Sequence, residues 1–198
     1  MKAHQLSTPN LFVDKMFTQY YNILQVMHMK ETLKQVSHTV ENFRLPRYHE
    51  IPNVGLYLEQ TAQYISEYLE AVLPSCLTTS MISNYVKKGL ISSPVKKQYS
   101  REQIAYLFFI AVAKNVLSLD ALQNFIRLQQ RTYSVEKAYN YFVEEFENLL
   151  LFCFDLKPAL VPSGLDELSN EKRLLYSCIA SVTQKIYLEK CLEVIAKE

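Results

Sequence analysis

Glycine is nearly absent from this chain, with three among 198 residues, and proline occurs only seven times. A parallel α/β enzyme or a β-sandwich needs many more tight turns, and a glycine-rich phosphate loop cannot be assembled from so few. Apolar runs fall short of the ~18 residues that mark a membrane span. The opening Met1-Lys2-Ala3-His4-Gln5 leads into polar Ser7-Thr8-Pro9-Asn10 with no signal-peptide core, so a cytoplasmic location without a membrane is expected. Cys76, Cys153, Cys178 and Cys191 include no Cys-x-x-Cys pair, and His4, His28, His38 and His49 have no metal spacing with them. The cysteines read as reduced core residues, and neither a metal nor a cofactor is expected. Wholesale disorder is excluded too, because 49% of the residues are hydrophobic, enough to bury a core.

Acid is missing from one stretch. The chain carries a net charge of +1, yet residues 71–101 hold Lys87, Lys88, Lys96, Lys97 and Arg101 and no carboxylate. Residues 134–198 are acidic, with eleven acids against seven bases. A near-neutral chain with one concentrated cationic segment points to a local anionic partner, the plain alternative being a solvated lysine-rich turn.

Helical periodicity fills most of the sequence. Residues 10–41 place Leu11, Phe12, Met16, Tyr20, Ile23, Leu24 and Met27 at spacings of three and four, with Thr8 and Pro9 suited to the start. Arg44 to Asn53 holds Pro46 and Pro52 and reads as an extended connector. A helix from about Val54 to Val72 stops before Pro74. A short one follows from Thr79 to Lys88, capped by Thr78 or Thr79 and ended by Gly89. Ser92 to Tyr99 is a loop, and Ser100-Arg101-Glu102-Gln103 has the form of a capping box. It opens an amphipathic helix to Val116, with Ile104, Leu107, Phe108, Ala111, Val112 and Val116 inward. Ser118, Ser134 and Ser169 each start a further helix. Lys157 to Gly164 reads as a linker, and the last helix has a core stripe of Leu174, Leu175, Cys178, Ile179, Val182, Ile186, Leu188, Leu192 and Ile195. The expected class is all-α. Residues 1–44 form an N-terminal helical arm, 45–133 a central domain and 134–198 a C-terminal dimerisation or effector module.

No nucleophile elbow, His–carboxylate pair or P-loop is present, and Glu144, Glu145 and Glu147 are expected to face water, so no enzyme is expected. The order of elements around the cationic segment carries more. Helix, connection, short polar helix, glycine stop, basic loop and helix together form the plan of a helix-turn-helix. In the short helix Met81, Ile82, Tyr85 and Val86 share one side, and Ser80, Ser83, Asn84 and Lys87 share the other. Small polar side chains approach base edges closely, and Asn bonds adenine bidentately. Thr79, Ser80, Ser83, Asn84 and Lys87 are therefore candidate base contacts, and Lys88, Lys96, Lys97, Tyr99 and Arg101 candidate backbone contacts. Tyr99 has an alternative role, packing the loop onto the next helix. The same face also has a plainer reading, the solvated side of a small helix.

Thr79 to Ile91 resembles the recognition helix of MerR-type regulators, approximately T-I-R-Y-Y-E-R-x-G-L-[LI]. Tyr99 to Leu107 resembles the R-Y-S-x-x-D-[LV]-x-x-L that follows their wing, and Leu117 to Leu122 resembles their G-[FY]-S-L-x-E-I. Ser83 stands where those proteins carry an arginine and Asn84 where they carry an aromatic, and the wing between Ile91 and Tyr99 is too short for a full β-hairpin. A closer resemblance, over roughly residues 44 to 150, is to an uncharacterised bacterial family, domain of unknown function 1836. It rests on Leu45 to Pro52, on Thr78 to Ile91 and on the Lys-Lys-x-Tyr-Ser-Arg-Glu segment from Lys96 to Glu102. This resemblance implies a MerR-like helix-turn-helix with a shortened wing and brings no established activity. The expected function is transcriptional regulation, with double-stranded DNA bound by a homodimer and a small-molecule effector left open. The alternative is a helical protein–protein interaction adaptor that has lost DNA binding.

Overall fold

The structure, a computed structural model, describes residues 34, 36–74, 77–157 and 169–197. Most of the expected helix over 10–41, together with His4, His28 and Cys76, lies outside the described residues, as does most of the linker before Gly164. Six helices appear among the described residues: α1 (Leu58–Leu69), α2 (Thr79–Lys87), α3 (Arg101–Ala113), α4 (Leu119–Thr132), α5 (Val135–Cys153) and α6 (Asn170–Ile195). A 3-10 turn, Tyr48–Glu50, precedes two short antiparallel strands, β1 (Leu56–Tyr57) and β2 (Gln98–Tyr99). No described helix is long and apolar enough to cross a membrane.

The helix starts follow from side-chain chemistry. Ser118, Ser134 and Ser169 each accept a hydrogen bond from the backbone N–H three residues on. This satisfies donors that the first helical turn leaves unpaired. At α3 the reciprocal box is complete, with Ser100 N–H donating to Gln103 Oε1 at 2.8 Å and Gln103 N–H to Ser100 Oγ at 3.3 Å.

One expectation about α3 is corrected. It is not amphipathic: every residue from Gln103 to Ala113 except Tyr106 is buried. A helix apolar all round needs neighbours on every side, and α1, α5 and α6 supply them. The helix ends at Ala113, which leaves Val116 exposed. Phe108 is fully buried and meets Tyr64, Tyr68 and Tyr139 with ring centroids 5.9, 6.0 and 6.1 Å away. Phe109 and Phe142 meet edge-on at 5.6 Å. Replacing Phe108 by Ala removes the ring where these elements converge, and a loss of about 3–5 kcal/mol is expected in urea unfolding.

The connector around Pro46 is tied down rather than loose. Leu45 N–H and Arg47 Nη2 donate to the two carboxylate oxygens of Glu147, at 2.9 and 2.7 Å. Tyr48 N–H donates to Asn140 Oδ1 and the buried Tyr139 hydroxyl to Pro46 O, both at 2.9 Å. Burial pushes the Tyr139 phenol far above its ordinary range. This corrects the expectation for Glu147, whose side chain is 14% exposed: it faces the connector, not water. Glu144 does face water, while Glu145 is half-buried and its carboxyl is raised by burial and by Glu144. One hydrophobic cluster runs from Val36 to Ile186, with no break at the boundary drawn between residues 133 and 134.

In α6 the inward face is Leu175, Cys178, Ile179, Val182, Thr183, Ile186 and Cys191. Leu174, Leu188, Leu192 and Ile195, expected in that stripe, are exposed instead. The packing against α5, α3 and α4 covers the inward face and leaves these four apolar residues outside it.

Candidate nucleic-acid interface

The short helix α2 is held at both ends by its own sequence. Thr78 Oγ1 accepts from Met81 N–H at 3.2 Å. At the other end Gly89 has φ +71, where a Cβ would be strained, and Gly89 N–H and Leu90 N–H donate to Val86 O and Tyr85 O at 3.0 and 2.9 Å. This pair of bonds is a Schellman closure. Gln123 Nε2 in α4 adds a bond to Lys88 O at 3.2 Å. Ile82 and Tyr85 are buried and Met81 and Val86 half-buried, so the apolar side of α2 is spent on the core.

The polar side faces out. Ser80, Ser83, Asn84, Lys87 and Lys88 are exposed and Thr79 is half-exposed. Ser83 Oγ donates to Thr79 O at 2.9 Å, leaving its lone pairs outward, and Ser80 Oγ pairs with Thr78 Oγ1 at 3.0 Å. The Asn84 amide and the Lys87 and Lys88 ammoniums have no side-chain partner among the described residues.

The segment after α2 makes a tight reversal. Val95 N–H donates to Gln98 O at 3.1 Å and Gln98 N–H to Val95 O at 2.9 Å. The two residues between them, Lys96 and Lys97, have φ +51 and +66. Positive φ at both central positions is the mark of a type I′ hairpin turn, which ordinarily takes Asn-Gly or Asp-Gly. The loop between Ile91 and Tyr99, expected to be too short for a full β-hairpin, thus closes as a minimal one. Its second strand pairs outside the loop, Leu56 with Tyr99 and Tyr57 with Gln98. Gly55 is required beside it, since a Cβ there would lie 2.6 Å from Gln98 Cβ. Gln103 holds the loop from below, its Nε2 donating to Ser92 O at 2.7 Å. Both turn lysines are exposed and unpaired among the described residues.

Two expected backbone contacts are otherwise engaged. Tyr99 is 4% exposed, and burial pushes its phenol up. It is corrected to a packing residue, because the pleat turns its ring inward, while Tyr57, one position along the partner strand and paired with Gln98, stays out. Arg101 donates from Nε to Ile51 O at 2.8 Å and from Nη2 to His49 O at 3.3 Å, and its guanidinium lies 5.7 Å from the Tyr48 ring centroid. Its geometry clamps the 3-10 turn to the start of α3. Replacing Arg101 by Ala is expected to cost about 1.5–3 kcal/mol in thermal or urea unfolding, the range for bonds to a charged group.

The surface contains residues that pattern reading did not pick out. Tyr57 is exposed, in register with Gln98 and thus next to the lysine turn, and Val95 is exposed in front of it. A two-residue strand that pairs with a segment some forty positions later has no periodic signal. An apolar cleft of about 40 Å³ between α3, α4, α5 and α6 is lined by Phe109, Phe125, Phe142 and Leu175. That is well under the ~150 Å³ that holds a benzene ring. Among the described residues no cluster of His, Cys, Asp or Glu could hold a metal ion.

The family model described as Domain of unknown function (DUF1836) matches residues 46–142. That span takes in the Pro46 connector, α1, α2, the lysine turn, α3, α4 and the first residues of α5, ending at Phe142. No curated protein and no solved structure matches the chain.

Proposed function

We propose, from the match over residues 46–142 and the surface just described, that this chain carries a MerR-like helix-turn-helix with a minimal wing and binds duplex DNA as a homodimeric transcriptional regulator. In this reading α2 enters the major groove. Asn84 and Lys87 address base edges, with Thr79, Ser80 and Ser83 allowing close approach. Lys88, Lys96 and Lys97 neutralise phosphates. The observation that carries the reading is the two-faced α2, with Ile82 and Tyr85 sealed into the core while Asn84 and Lys87 stand exposed and unpartnered among the described residues. A helix-turn-helix dimer spans two half-sites one helical turn apart, which is why the homodimer belongs to the proposal.

The test is a gel shift with random duplex at low salt, where retardation is expected. No shift at micromolar protein would sink the reading and favour the protein–protein adaptor. Lys88, Lys96 and Lys97 set the expected salt dependence. With each of these ammoniums displacing one counterion, log K falls against log salt with a slope of about −2.7 per subunit. Fluorescence anisotropy between 50 and 200 mM salt measures it, and a flat profile would contradict the phosphate contacts.

A further inference from the structure

The uncovered stripe of α6 has a regular composition. Leu174, Ser181, Leu188 and Ile195 follow one another at intervals of seven, with Ser177, Gln184 and Leu192 alongside. Leu188, Leu192 and Ile195 are 57, 55 and 47% exposed, and Ser177, Ser181 and Gln184 are exposed as well. The helix is 26 residues long, about 39 Å. Past Leu174 at its start, the first half presents small or polar side chains, and the second half presents large apolar ones. That asymmetry is the shape of a surface complementary to itself when reversed.

We infer that this face docks a second copy of the chain, α6 against α6, antiparallel and crossing at Leu188. With the two-fold axis there, Leu188 meets the partner's Leu188. Leu192 meets the partner's Ser181 and Gln184, and Ile195 meets the partner's Ser177 and Ser181, so on either side of the central leucine pair large apolar residues fall opposite small or polar ones. Charge agrees with size. Lys185 and Glu189 pair within the helix, and in this register Lys185 also stands across from the partner's Glu189 on each side of the axis. A parallel pairing would set Lys185 against Lys185 and serine against serine, leaving gaps and like charges together. The closed two-fold arrangement uses one patch from each copy. The inference specifies the homodimer in the proposal above and does not depend on its DNA part.

Sedimentation equilibrium of the full chain without DNA tests it. The expected mass is twice the 23.1 kDa of one chain. Leu188→Asp is expected to sediment as a single chain with an unchanged far-UV circular dichroism spectrum. Leu174→Asp, beyond the paired stretch, is expected to remain a dimer. If Leu188→Asp does not fold, the milder Leu188→Ser with Leu192→Ser takes its place. Glu189→Lys is expected to weaken the dimer and Lys185→Glu with Glu189→Lys to restore it. A wild-type chain that sediments as a monomer, or a dimer indifferent to Leu188, overturns the inference and gives the stripe to another part of the chain or to a foreign helix. A dimer that ignores DNA would sink the DNA reading alone, and a monomer that shifts DNA would sink the interface alone.

Discussion

Replacing Lys87 and Lys96 together by Glu is expected to abolish duplex binding while leaving the fold intact. The two lysines sit on different elements, one at the end of α2 and one in the turn before β2, so the pair probes both parts of the surface at once. One change removes a base contact and the other a phosphate partner, and each adds a charge of the same sign as DNA. Losing one of three phosphate contacts lowers the expected salt slope to about −1.8, and the new repulsion removes the affinity that remains. Stability is expected to stay within about 0.5 kcal/mol, because both side chains are exposed and neither has an ion-pair partner among the described residues. Retention on a DNA column compared with an unchanged melting curve reads both halves. Wild-type retention by the double variant would end the DNA reading. Arg101→Ala is the contrasting case, since its guanidinium holds Ile51 O and His49 O and its loss should appear in the melting curve first.

The second large effect runs in opposite directions for stability and binding. Changing Lys96 to Asn and Lys97 to Gly is expected to stabilise the protein and weaken DNA binding together. With φ +51 and +66, both lysines occupy the left-handed region, which costs an ordinary residue roughly 1–2 kcal/mol. Asn and Gly accept that conformation readily, so a gain of about 2 kcal/mol is expected, or about 4–8 °C in the melting midpoint for a chain of this size. The same change deletes both turn ammoniums and should flatten the salt slope by about 1.8 per subunit. Residues held in strained conformations concentrate where a function needs them. Two adjacent exposed lysines in a turn that ordinarily takes Asn-Gly fit that pattern. A variant that is more stable and binds DNA as tightly as wild type would show that the lysines have no such role.

Much of this architecture was written locally. Ser100, Ser118, Ser134 and Ser169 each start a helix where the pattern placed it, because an N-cap needs only a side-chain oxygen and an N–H three residues later. Gly89 ends α2 for an equally local reason, being the residue that takes a positive φ freely. The two faces of α2 were also legible, since a period of 3.6 separates Ile82 and Tyr85 from Ser83, Asn84 and Lys87 without reference to any neighbour.

Other assignments needed the neighbours. Glu147 carries no mark separating it from Glu144; only the arrival of Leu45 and Arg47, about a hundred positions earlier in the chain, turns it into a half-buried acceptor. Val95 to Tyr99 is too short to show a period, and β2 exists because β1 comes alongside. Tyr99 and Arg101 sit in the cationic segment, yet the strand register and the Tyr48–Glu50 turn take them inward. In α6 the sequence sets Leu174, Leu188, Leu192 and Ile195 beside the stripe through Leu175, Ile179 and Ile186, and packing covered only the latter. The sequence alone determined where α2 to α6 begin, where α2 ends, which side of α2 is polar and where the positive charge gathers, because caps, periods and composition act within a few residues; it did not show that residues 54–57 are bend and strand rather than the start of α1, nor that α3 stops at Ala113. Tertiary structure alone decided which acids, arginines and leucines are covered, because burial depends on what arrives from distant parts of the chain.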